Sequence, residues 1–208
     1  MIGIDEAGRG PVLGSMFYAG VRIPEEAPIL STVKDSKKLT DKQRKELFEQ
    51  IINYKHISVE LLADDIDASK SLTELSITSV IKILSELCNG DNPQTIVVDA
   101  PHTSENKFRE DLLDSINGLN ITQSLTVTHK ADETFPVCSA ASIIAKEKRE
   151  RHVQMLSNKY DKFFIGSGYP SDAKTRTFLK EYYCQYNRFP EETRTSWNTC
   201  EKIKSMRD

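Results

Sequence analysis

The N-terminal stretch IGIDEAGRGPVLGSM, residues 2–16, decides how the rest of the chain is interpreted. It begins with a short apolar segment that is typical of a buried strand, and it then places Asp5 and Glu6 side by side. The turn Gly8-Arg9-Gly10 follows, and residues 12–23, rich in aromatic and branched side chains, indicate a second strand. Carboxylates and a flexible cationic loop therefore stand where a first strand should enter a core, and this is the first place to look for a site.

Strand and helix patterns alternate along the remainder of the chain. Thr40 stands three residues ahead of Gln43 and forms the capping box of a helix whose apolar positions, Leu47, Phe48, Ile51 and Ile52, share one face. Further strands are predicted at 56–63, 95–100 and 122–129, and further helices at 72–88, at 105–115, from Val137 to about Tyr160, and after Asp172. This alternation predicts an α/β sheet protein with a helical C-terminal segment.

Length and composition indicate a globular protein. The chain has 208 residues, of which 38% are hydrophobic and 28% charged, so we expect one main domain with a substantial core. No apolar run approaches the roughly 18 residues of a membrane span, and the N-terminus lacks the pattern of a secretory signal. We therefore expect a cytoplasmic protein, or a nuclear one if the source is a eukaryote. The four cysteines are widely spaced, which argues against a zinc site or a disulfide framework.

The charge is unevenly distributed along the chain. The net charge is −3, but the segment from Ser142 to the C-terminus holds 14 Lys and Arg against 9 Asp and Glu, and residues 1–141 hold 14 against 22. An acidic part that binds cations beside a basic part that meets phosphates is one interpretation. Uneven solvation of helix faces is the other, and charge alone does not decide between them.

Four acidic residues lie at the ends of predicted strands. Asp5 and Glu6 close the first strand, Asp99 closes the apolar strand TIVV, and Asp132 follows the strand that ends near His129. Because ligand sites in such sheets lie beyond strand ends, these carboxylates could converge and bind Mg²⁺ or Mn²⁺, which prefer oxygen ligands. Two such ions can promote hydrolysis of a phosphodiester. Each acid taken alone also fits an ordinary solvated strand end, so both interpretations stay open here.

One geometric difficulty concerns Asp5 and Glu6. Successive side chains of a regular strand point to opposite faces of the sheet. For both carboxylates to reach one site, the chain must bend at the turn or Glu6 must reach round.

Several other residues have a possible role in binding and also an ordinary structural explanation. Gly8-Arg9-Gly10 lets main-chain N–H groups approach a ligand, but it also fits a plain tight turn. Tyr169 in GSGYP could stack on a sugar or base, or simply cover the core. Lys37 could contact phosphate or lie in a solvated loop. His129 and His152 are interpreted as structural, because neither has a second histidine or cysteine at metal-ligand spacing.

Six separated motifs together resemble ribonuclease HII, the type 2 ribonuclease H family, and are most similar to its archaeal branch and to the eukaryotic catalytic subunit. They are IDEAGRGPVLG, DSKKLT, VVDAP, HKADETFPVCSAASIIAK, GSGYPSD and RTSW, in family order and spread over nearly the whole chain. The resemblance implies a ribonuclease H-like fold, with a mixed central sheet flanked by helices. It implies a catalytic core over residues 1–160 and a helical extension over 161–208 that packs on the core and completes the substrate site.

The resemblance also implies an activity and the residues that perform it. It implies hydrolysis of the RNA strand of RNA/DNA hybrids and incision 5′ of single ribonucleotides in duplex DNA, leaving 3′-hydroxyl and 5′-phosphate ends. Asp5, Glu6, Asp99 and Asp132 would bind two Mg²⁺ or Mn²⁺ ions; as a hypothesis, Asp5 bridges both, Asp99 helps hold the water-activating ion, and Glu6 and Asp132 help hold the other. Gly8, Arg9, Gly10 and Tyr169 would read the 2′-OH, and Lys37 and Lys146 would contact phosphates. The loop would then adjoin the carboxylates because the sugar being read adjoins the phosphate being cut.

The alternatives to this enzyme are a non-catalytic subunit that binds hybrids, another nuclease on the same fold, and the related ribonuclease HIII. The four acids argue against the first, the loop and Tyr169 against the second, and the missing extra N-terminal domain against the third. The sequence departs from the family pattern at Phe135, where tyrosine is common, and at Ala173, where proline is usual. It also shows no C-terminal Gln-x-x-hydrophobic-x-x-aromatic motif for a sliding clamp, so we do not expect that partnership. Separately, we expect a monomer, or a subunit with accessory chains if the source is a eukaryote.

Overall fold

A computed structural model describes residues 1–33, 39–69, 71–88, 95–101, 104–116 and 125–206. Within these ranges the chain forms two compact units. The first consists of Met1–Ala7, Phe17–Val59 and Lys70–Glu147, and the second of Gly8–Met16, Glu60–Ser69 and Lys148–Asp208. Among the described residues, no helix combines the length and apolar character that crossing a bilayer requires.

A five-stranded mixed sheet organises the fold, with the strand order β3-β2-β1-β4-β5. The strands are β1 (Ile2–Ala7), β2 (Met16–Arg22), β3 (Lys55–Leu61), β4 (Ile96–Asp99) and β5 (Leu125–Thr128). β1 pairs antiparallel with β2 and parallel with β4, and β4 pairs parallel with β5. The carboxyl ends of β1, β4 and β5 therefore lie at the same edge of the sheet.

The helices are α1 (Ile29–Thr32), α2 (Asp41–Ile51), α3 (Ala63–Ala68), α4 (Leu72–Leu87), α5 (Glu105–Ser115), α6 (Ala131–Thr134), α7 (Pro136–Lys159), α8 (Ala173–Tyr186) and α9 (Asn198–Ser205). The predicted capping box begins α2, where the Thr40 side chain accepts from the Gln43 N–H and the Gln43 side chain accepts from the Thr40 N–H. The sequence patterns located the long helices within a few residues. They missed the four short helices α1, α3, α6 and α9, which are too short to show a clear helical period.

Two glycines allow helices to pack closely on both faces of the sheet. A Cβ on Gly3 would lie 2.7 Å from the Cys138 N atom and still closer to the Val137 carbonyl, so α7 crosses β1 at Gly3. A Cβ on Gly20, which pairs with Ile4, would instead collide with the Ile83 side chain of α4. Since neighbouring positions of β1 face opposite sides, α7 and α4 cover opposite faces. Of the first twelve residues of α7, all but Pro136 and Lys146 are buried.

The second unit has its own apolar core, formed by residues from the segment after β1, from the C-terminal half of α7, and from α8 and α9. Phe178 of α8 lies at its centre, with the rings of Tyr160 and Phe163 each 5.4 Å away between centroids. Leu13 forms an antiparallel bridge with Thr193, which ties the segment after β1 to the segment before α9.

The division into compact units differs from the division predicted at residue 160. The units separate between Glu147 and Lys148, inside the continuous helix α7, and residues 8–16 and 60–69 belong to the second unit. The composition of α7 changes from mostly apolar over residues 136–145 to charged over residues 146–151, but the helix continues through this change, and the sequence did not predict a boundary there. The separate roles predicted for residues 1–160 and 161–208 stay predictions.

Candidate active site

The four predicted acids line one cavity of about 240 Å³ in the first unit. Asp5 and Glu6 come from β1, Asp99 from the end of β4, and Asp132 from α6, directly after β5. The cavity therefore lies at the edge where the carboxyl ends of three strands meet, as ligand sites in α/β sheets commonly do. The remaining lining residues are Ala100, Pro101, His129, Lys130, Ser142 and Lys146.

Asp5 is the most buried of these acids, with 4% of its surface exposed. Its Oδ1 accepts a hydrogen bond from the Glu6 N–H at 2.7 Å. Burial, followed by the nearby charge of Asp99, raises the pKa of Asp5 well above its ordinary value, while the Ser142 hydroxyl acts in the opposite direction. A carboxylate in such surroundings is costly to ionise unless a cation compensates its charge.

Glu6 reaches the cavity although β1 is regular. The β1–β2 pairing continues through Glu6 opposite Tyr18 and Ala7 opposite Phe17, so the strand does not bend before Glu6. The sequence left open whether the chain bends at the turn or whether Glu6 reaches round. Because the strand is regular at Glu6 and Glu6 lines the cavity, the structure shows the second arrangement.

Asp99 and Asp132 are positioned by the chain that follows β5. Asp99 Oδ1 accepts from the Ala131 N–H at 2.6 Å, which links the end of β4 to the first residue of α6. Lys130 adopts a left-handed conformation with φ of 54°, and this sharp turn starts α6 at once after the strand. Asp132 therefore lies just after the strand, as the sequence predicted, but in a short helix, and it is 7% exposed.

Of the two predicted phosphate-binding lysines, the structure describes one. Lys146 of α7 lines the cavity, and its Nζ lies 3.9 Å from Asp132 Oδ2. The Lys146 side chain is 38% exposed, so its ammonium group can meet solvent or a ligand at the cavity mouth. Lys37 lies outside the described residues.

The donor set of the cavity fits hard divalent cations. All four acidic side chains offer carboxylate oxygens, the ligands that Mg²⁺ and Mn²⁺ prefer. The buried, high-pKa Asp5 beside Asp99 is an arrangement that a cation would stabilise. Within the described ranges, however, no three His, Cys, Asp or Glu side chains are already grouped as a metal centre, so the acids share the cavity without closing on one point.

The predicted ribose-reading residues lie together in the second unit. Gly8 has φ of 95°, a backbone conformation that other residues rarely adopt. A Cβ on Gly10 would lie 3.2 Å from the Tyr169 ring, so the loop and the ring are in close contact. Tyr169 is 39% exposed, and the Arg149 guanidinium lies 4.9 Å from its ring centroid. The structure thus brings Gly8, Arg9, Gly10 and Tyr169 into one group.

Comparison with known proteins identifies the family. The family model described as Ribonuclease HII matches residues 2–200. Ribonuclease HII of Thermococcus onnurineus is 41% identical over 210 residues, covering 98% of this chain and 89% of the relative, and that of Thermococcus kodakarensis is 42% identical over 207 residues, covering 97% and 88%. The chain belongs to the ribonuclease HII family. It is a ribonuclease H enzyme, as its motifs predicted.

Solved structures of ribonuclease HII confirm the fold prediction. The ribonuclease H2 structure from Pyrococcus horikoshii superimposes with a TM-score of 0.84 at 37% identity, covering 99% of this chain and 97% of that one. The ribonuclease HII in a complex with PCNA from Archaeoglobus fulgidus gives 0.83 at 34% identity, covering 98% and 96%. The Bst-RNase HIII structure in complex with Mn²⁺, at 20% identity and a TM-score of 0.78, shares the fold. The mixed sheet with helices on both faces is thus a ribonuclease H-like fold.

Several residues that shape these two sites of the ribonuclease HII chain were not among the binding or catalytic residues that the sequence predicted. Lys130 and Ser142 line the acidic cavity, and both lie within the motif HKADETFPVCSAASIIAK, which could have indicated them. His129 was interpreted as structural; it lines the cavity, and its Nδ1 lies 3.1 Å from the Ala100 carbonyl oxygen. Arg194, in the motif RTSW, hydrogen-bonds to the Gly8-Arg9-Gly10 loop.

Replacing Asp5 by asparagine is expected to stabilise this ribonuclease HII fold in the absence of divalent ions. The pKa of Asp5 is raised in the folded state, so ionisation of this carboxyl destabilises the fold. The protein therefore has its full stability below about pH 4, the ordinary pKa of an aspartate, and loses part of that stability as the pH rises toward the folded-state pKa of Asp5. Asparagine keeps the acceptor for the Glu6 N–H but cannot ionise. The gain in unfolding free energy should therefore be near zero at pH 4 and on the order of 1 kcal/mol at pH 7.

Urea unfolding with EDTA at both pH values measures this gain. Asp161→Asn, at an exposed aspartate, is the matched control and should change the free energy of unfolding by a few tenths of a kcal/mol at most. An Asp5→Asn variant that is less stable than the wild type at pH 7 would show that ionisation of the buried Asp5 carboxyl does not destabilise the fold.

Proposed function

We propose that the chain hydrolyses the RNA strand of RNA/DNA hybrids and incises duplex DNA on the 5′ side of single embedded ribonucleotides. The observation that carries this proposal is the cavity at the sheet edge, which is lined by Asp5, Glu6, Asp99 and Asp132 together with Lys146. Membership of the ribonuclease HII family supports the nuclease chemistry. The loop that contains Gly8, Arg9 and Gly10 supports recognition of a ribose.

The reaction we propose is attack of water on the scissile phosphorus with departure of the 3′ oxygen. The P–O bond to the upstream 3′ oxygen breaks, that oxygen takes up a proton, and the ribonucleotide keeps the phosphate at its 5′ position. The products are a 3′-hydroxyl and a 5′-phosphate. Two divalent cations, Mg²⁺ or Mn²⁺, would activate the water and stabilise the leaving oxygen when bound.

The acids of this chain would hold those cations. We propose that Asp5 would help to hold both cations, since it is the most buried acid of the four and lies near both Asp99 and Glu6. Asp99 would help hold the cation that activates water, and Glu6 and Asp132 the other. Lys146 would attract the scissile region through its charge, as its position at the cavity allows. Lys37 keeps the phosphate-binding role that the motifs imply.

The segment that supplies two of the acids also supplies the ribose-reading loop, since only Ala7 separates Glu6 from Gly8 in the sequence. We propose that main-chain groups of Gly8, Arg9 and Gly10 bind the 2′-OH and that Tyr169 packs against the sugar. The aromatic ring supports this, because it is partly exposed and contacts Gly10.

The proposed partner is the nucleic-acid substrate. The Archaeoglobus fulgidus relative was solved in a complex with PCNA. For this chain we propose a monomer. Cellular location stays a prediction: the cytoplasm, or the nucleus in a eukaryote. Roles in removal of RNA primers and of misincorporated ribonucleotides would follow from the proposed activity.

A cleavage assay with three duplexes tests the proposed function. The duplexes are DNA with one ribonucleotide, the same DNA without it, and a long RNA/DNA hybrid, each with Mg²⁺, Mn²⁺ or EDTA. We expect cutting of the first and third with either ion, cutting of the all-DNA duplex at least about 10³ times more slowly, and no cutting in EDTA. Comparable cutting of all-DNA duplex would indicate another nuclease on this fold, and metal-independent binding without cleavage would indicate a non-catalytic subunit.

A further inference from the structure

Arg194 is a fully buried cation directed at the loop that follows β1. None of its surface is exposed. Its Nη2 donates to the Gly8 carbonyl at 2.6 Å and to the Gly14 carbonyl at 2.9 Å, and its Nη1 donates to the Arg9 carbonyl at 2.9 Å. Its Nε donates to the Gly14 carbonyl at 3.2 Å. One side chain therefore binds three carbonyls from both ends of the loop.

This arrangement depends on the shape of the guanidinium group. Burying a cation costs free energy unless its donors are satisfied, and here each of the three nitrogens has a carbonyl partner. A lysine ammonium is a compact charge without the fixed planar fork, so it could not reproduce the same set of bonds. The Trp197 ring, 5.4 Å from the Arg194 guanidinium carbon, covers the group on one side.

The bonds to Arg194 also fix where the loop N–H groups point. In a planar trans peptide, the C=O of one residue and the N–H of the next point in opposite directions. The Gly8 and Arg9 carbonyls point toward Arg194, so the N–H groups of Arg9 and Gly10 are directed away from it. Gly10 is exposed, which places its main chain where a ligand can reach it.

The segment after β1, residues 8–16, also holds the loop that carries Tyr169. The Val12 and Leu13 N–H groups both donate to the Gly168 carbonyl, at 2.8 and 3.2 Å. The Arg194 N–H donates to the Val12 carbonyl at 2.8 Å. The orientation of the loop N–H groups and the position of the Tyr169 ring are therefore set by one connected group of bonds.

We propose that Arg194 is a positioning residue for ribose recognition. It holds the Gly8 and Arg9 carbonyls on the buried side of the loop, and this presents the Arg9 and Gly10 N–H groups to the substrate 2′ oxygen. The inference rests on the proposed function, because it assigns a structural cause to the discrimination that the Gly8-Arg9-Gly10 loop would perform. Arg194 does not itself touch the substrate.

The test compares substrates that differ only at the 2′ position. A DNA duplex with one ribonucleotide is compared with the same duplex carrying a 2′-fluoro nucleotide there, whose fluorine is a poor acceptor and carries no proton. The ratio of single-turnover rates on the two duplexes is measured for the wild type, Arg194→Lys and Arg194→Met. Arg188→Met, the same change at an exposed arginine, is the control. Thermal unfolding of each variant measures stability separately.

The expected result is a loss of discrimination. Arg194→Met should cut the ribonucleotide duplex about 10²-fold more slowly, because small misplacements of binding groups are costly. Its ratio of cleavage rates on the 2′-OH and 2′-fluoro duplexes should fall about tenfold. Arg194→Lys should fall between Arg194→Met and the wild type, and Arg188→Met should match the wild type. A purely structural role would slow both substrates equally and leave the ratio unchanged.

The possible results distinguish the positioning role of Arg194 from the proposed function of the chain. If the wild type prefers the 2′-OH and both Arg194 variants keep its ratio, the positioning role is overturned while the proposed function stands. If Arg194→Met does not fold, an unchanged ratio in Arg194→Lys overturns the role and a reduced one supports it. If the wild type itself shows no preference for the 2′-OH, the proposed function fails, and the role of Arg194 in it fails too.

Discussion

Substituting Asp99 by asparagine is expected to lower kcat on a duplex with one ribonucleotide about 10³-fold, which corresponds to about 4 kcal/mol of lost transition-state stabilisation. Asp99 ends β4 and lines the acidic cavity, and its Oδ1 accepts from the Ala131 N–H. An asparagine oxygen can keep that hydrogen bond, so the geometry should survive while the negative charge is lost. The loss of rate would then report the charge of Asp99 and its contribution to holding a divalent cation.

The Asp99 experiment has a control and a second measurement that does not depend on catalysis. Glu110→Gln removes a negative charge from an exposed position of α5 and should leave kcat unchanged. Mn²⁺ should raise the melting temperature of the wild type through binding to the folded state, and should do so less for Asp99→Asn. Undiminished cutting by Asp99→Asn would remove Asp99 from the catalytic set.

Replacing Gly3 by alanine is expected to lower the free energy of unfolding by about 3 kcal/mol or more. The added Cβ would point into α7, 2.7 Å from the Cys138 N atom and nearer still to the Val137 carbonyl. These are backbone atoms, so no side-chain rotation can make room, and the strand or the helix must move. Val137 and Cys138 are themselves completely buried, which leaves little space for such a movement.

Urea denaturation of Gly3→Ala gives the change in unfolding free energy. Gly10→Ala is the matched control, because its added Cβ would meet only the edge of the partly exposed Tyr169 ring, at 3.2 Å, and it should cost less than about 1 kcal/mol. Since Asp5 lies two residues after Gly3, Gly3→Ala should also slow cleavage where it remains folded. A Gly3→Ala protein as stable as the wild type would show that α7 does not cross β1 this closely.

The sequence located the strands and long helices because their patterns are local. The capping box of Thr40 and Gln43 lies within four residues, and the structure confirms it at the start of α2. The short helix α6 could not be predicted in the same way, because four residues complete barely one turn. The left-handed residue before it is Lys130, and a lysine does not indicate that conformation in a sequence as a glycine would.

The boundary of the compact units could not be predicted from the sequence either. Residues 8–16 join the second unit through the Leu13–Thr193 bridge and the bonds of Arg194, which link positions about 180 residues apart. Such pairings depend on the folded chain and leave no periodic signal in either segment.

The sequence by itself determined the family, the fold class and the identity of the candidate acids, because six ordered motifs record residue types directly. Only the tertiary structure decided how these residues are used: that Glu6 reaches round from a regular strand, that Asp132 is presented by a helix, and that Arg194 directs the loop after β1. The physical reason is that side-chain direction and burial are set by packing between segments distant in the chain, whereas composition and spacing report only neighbours.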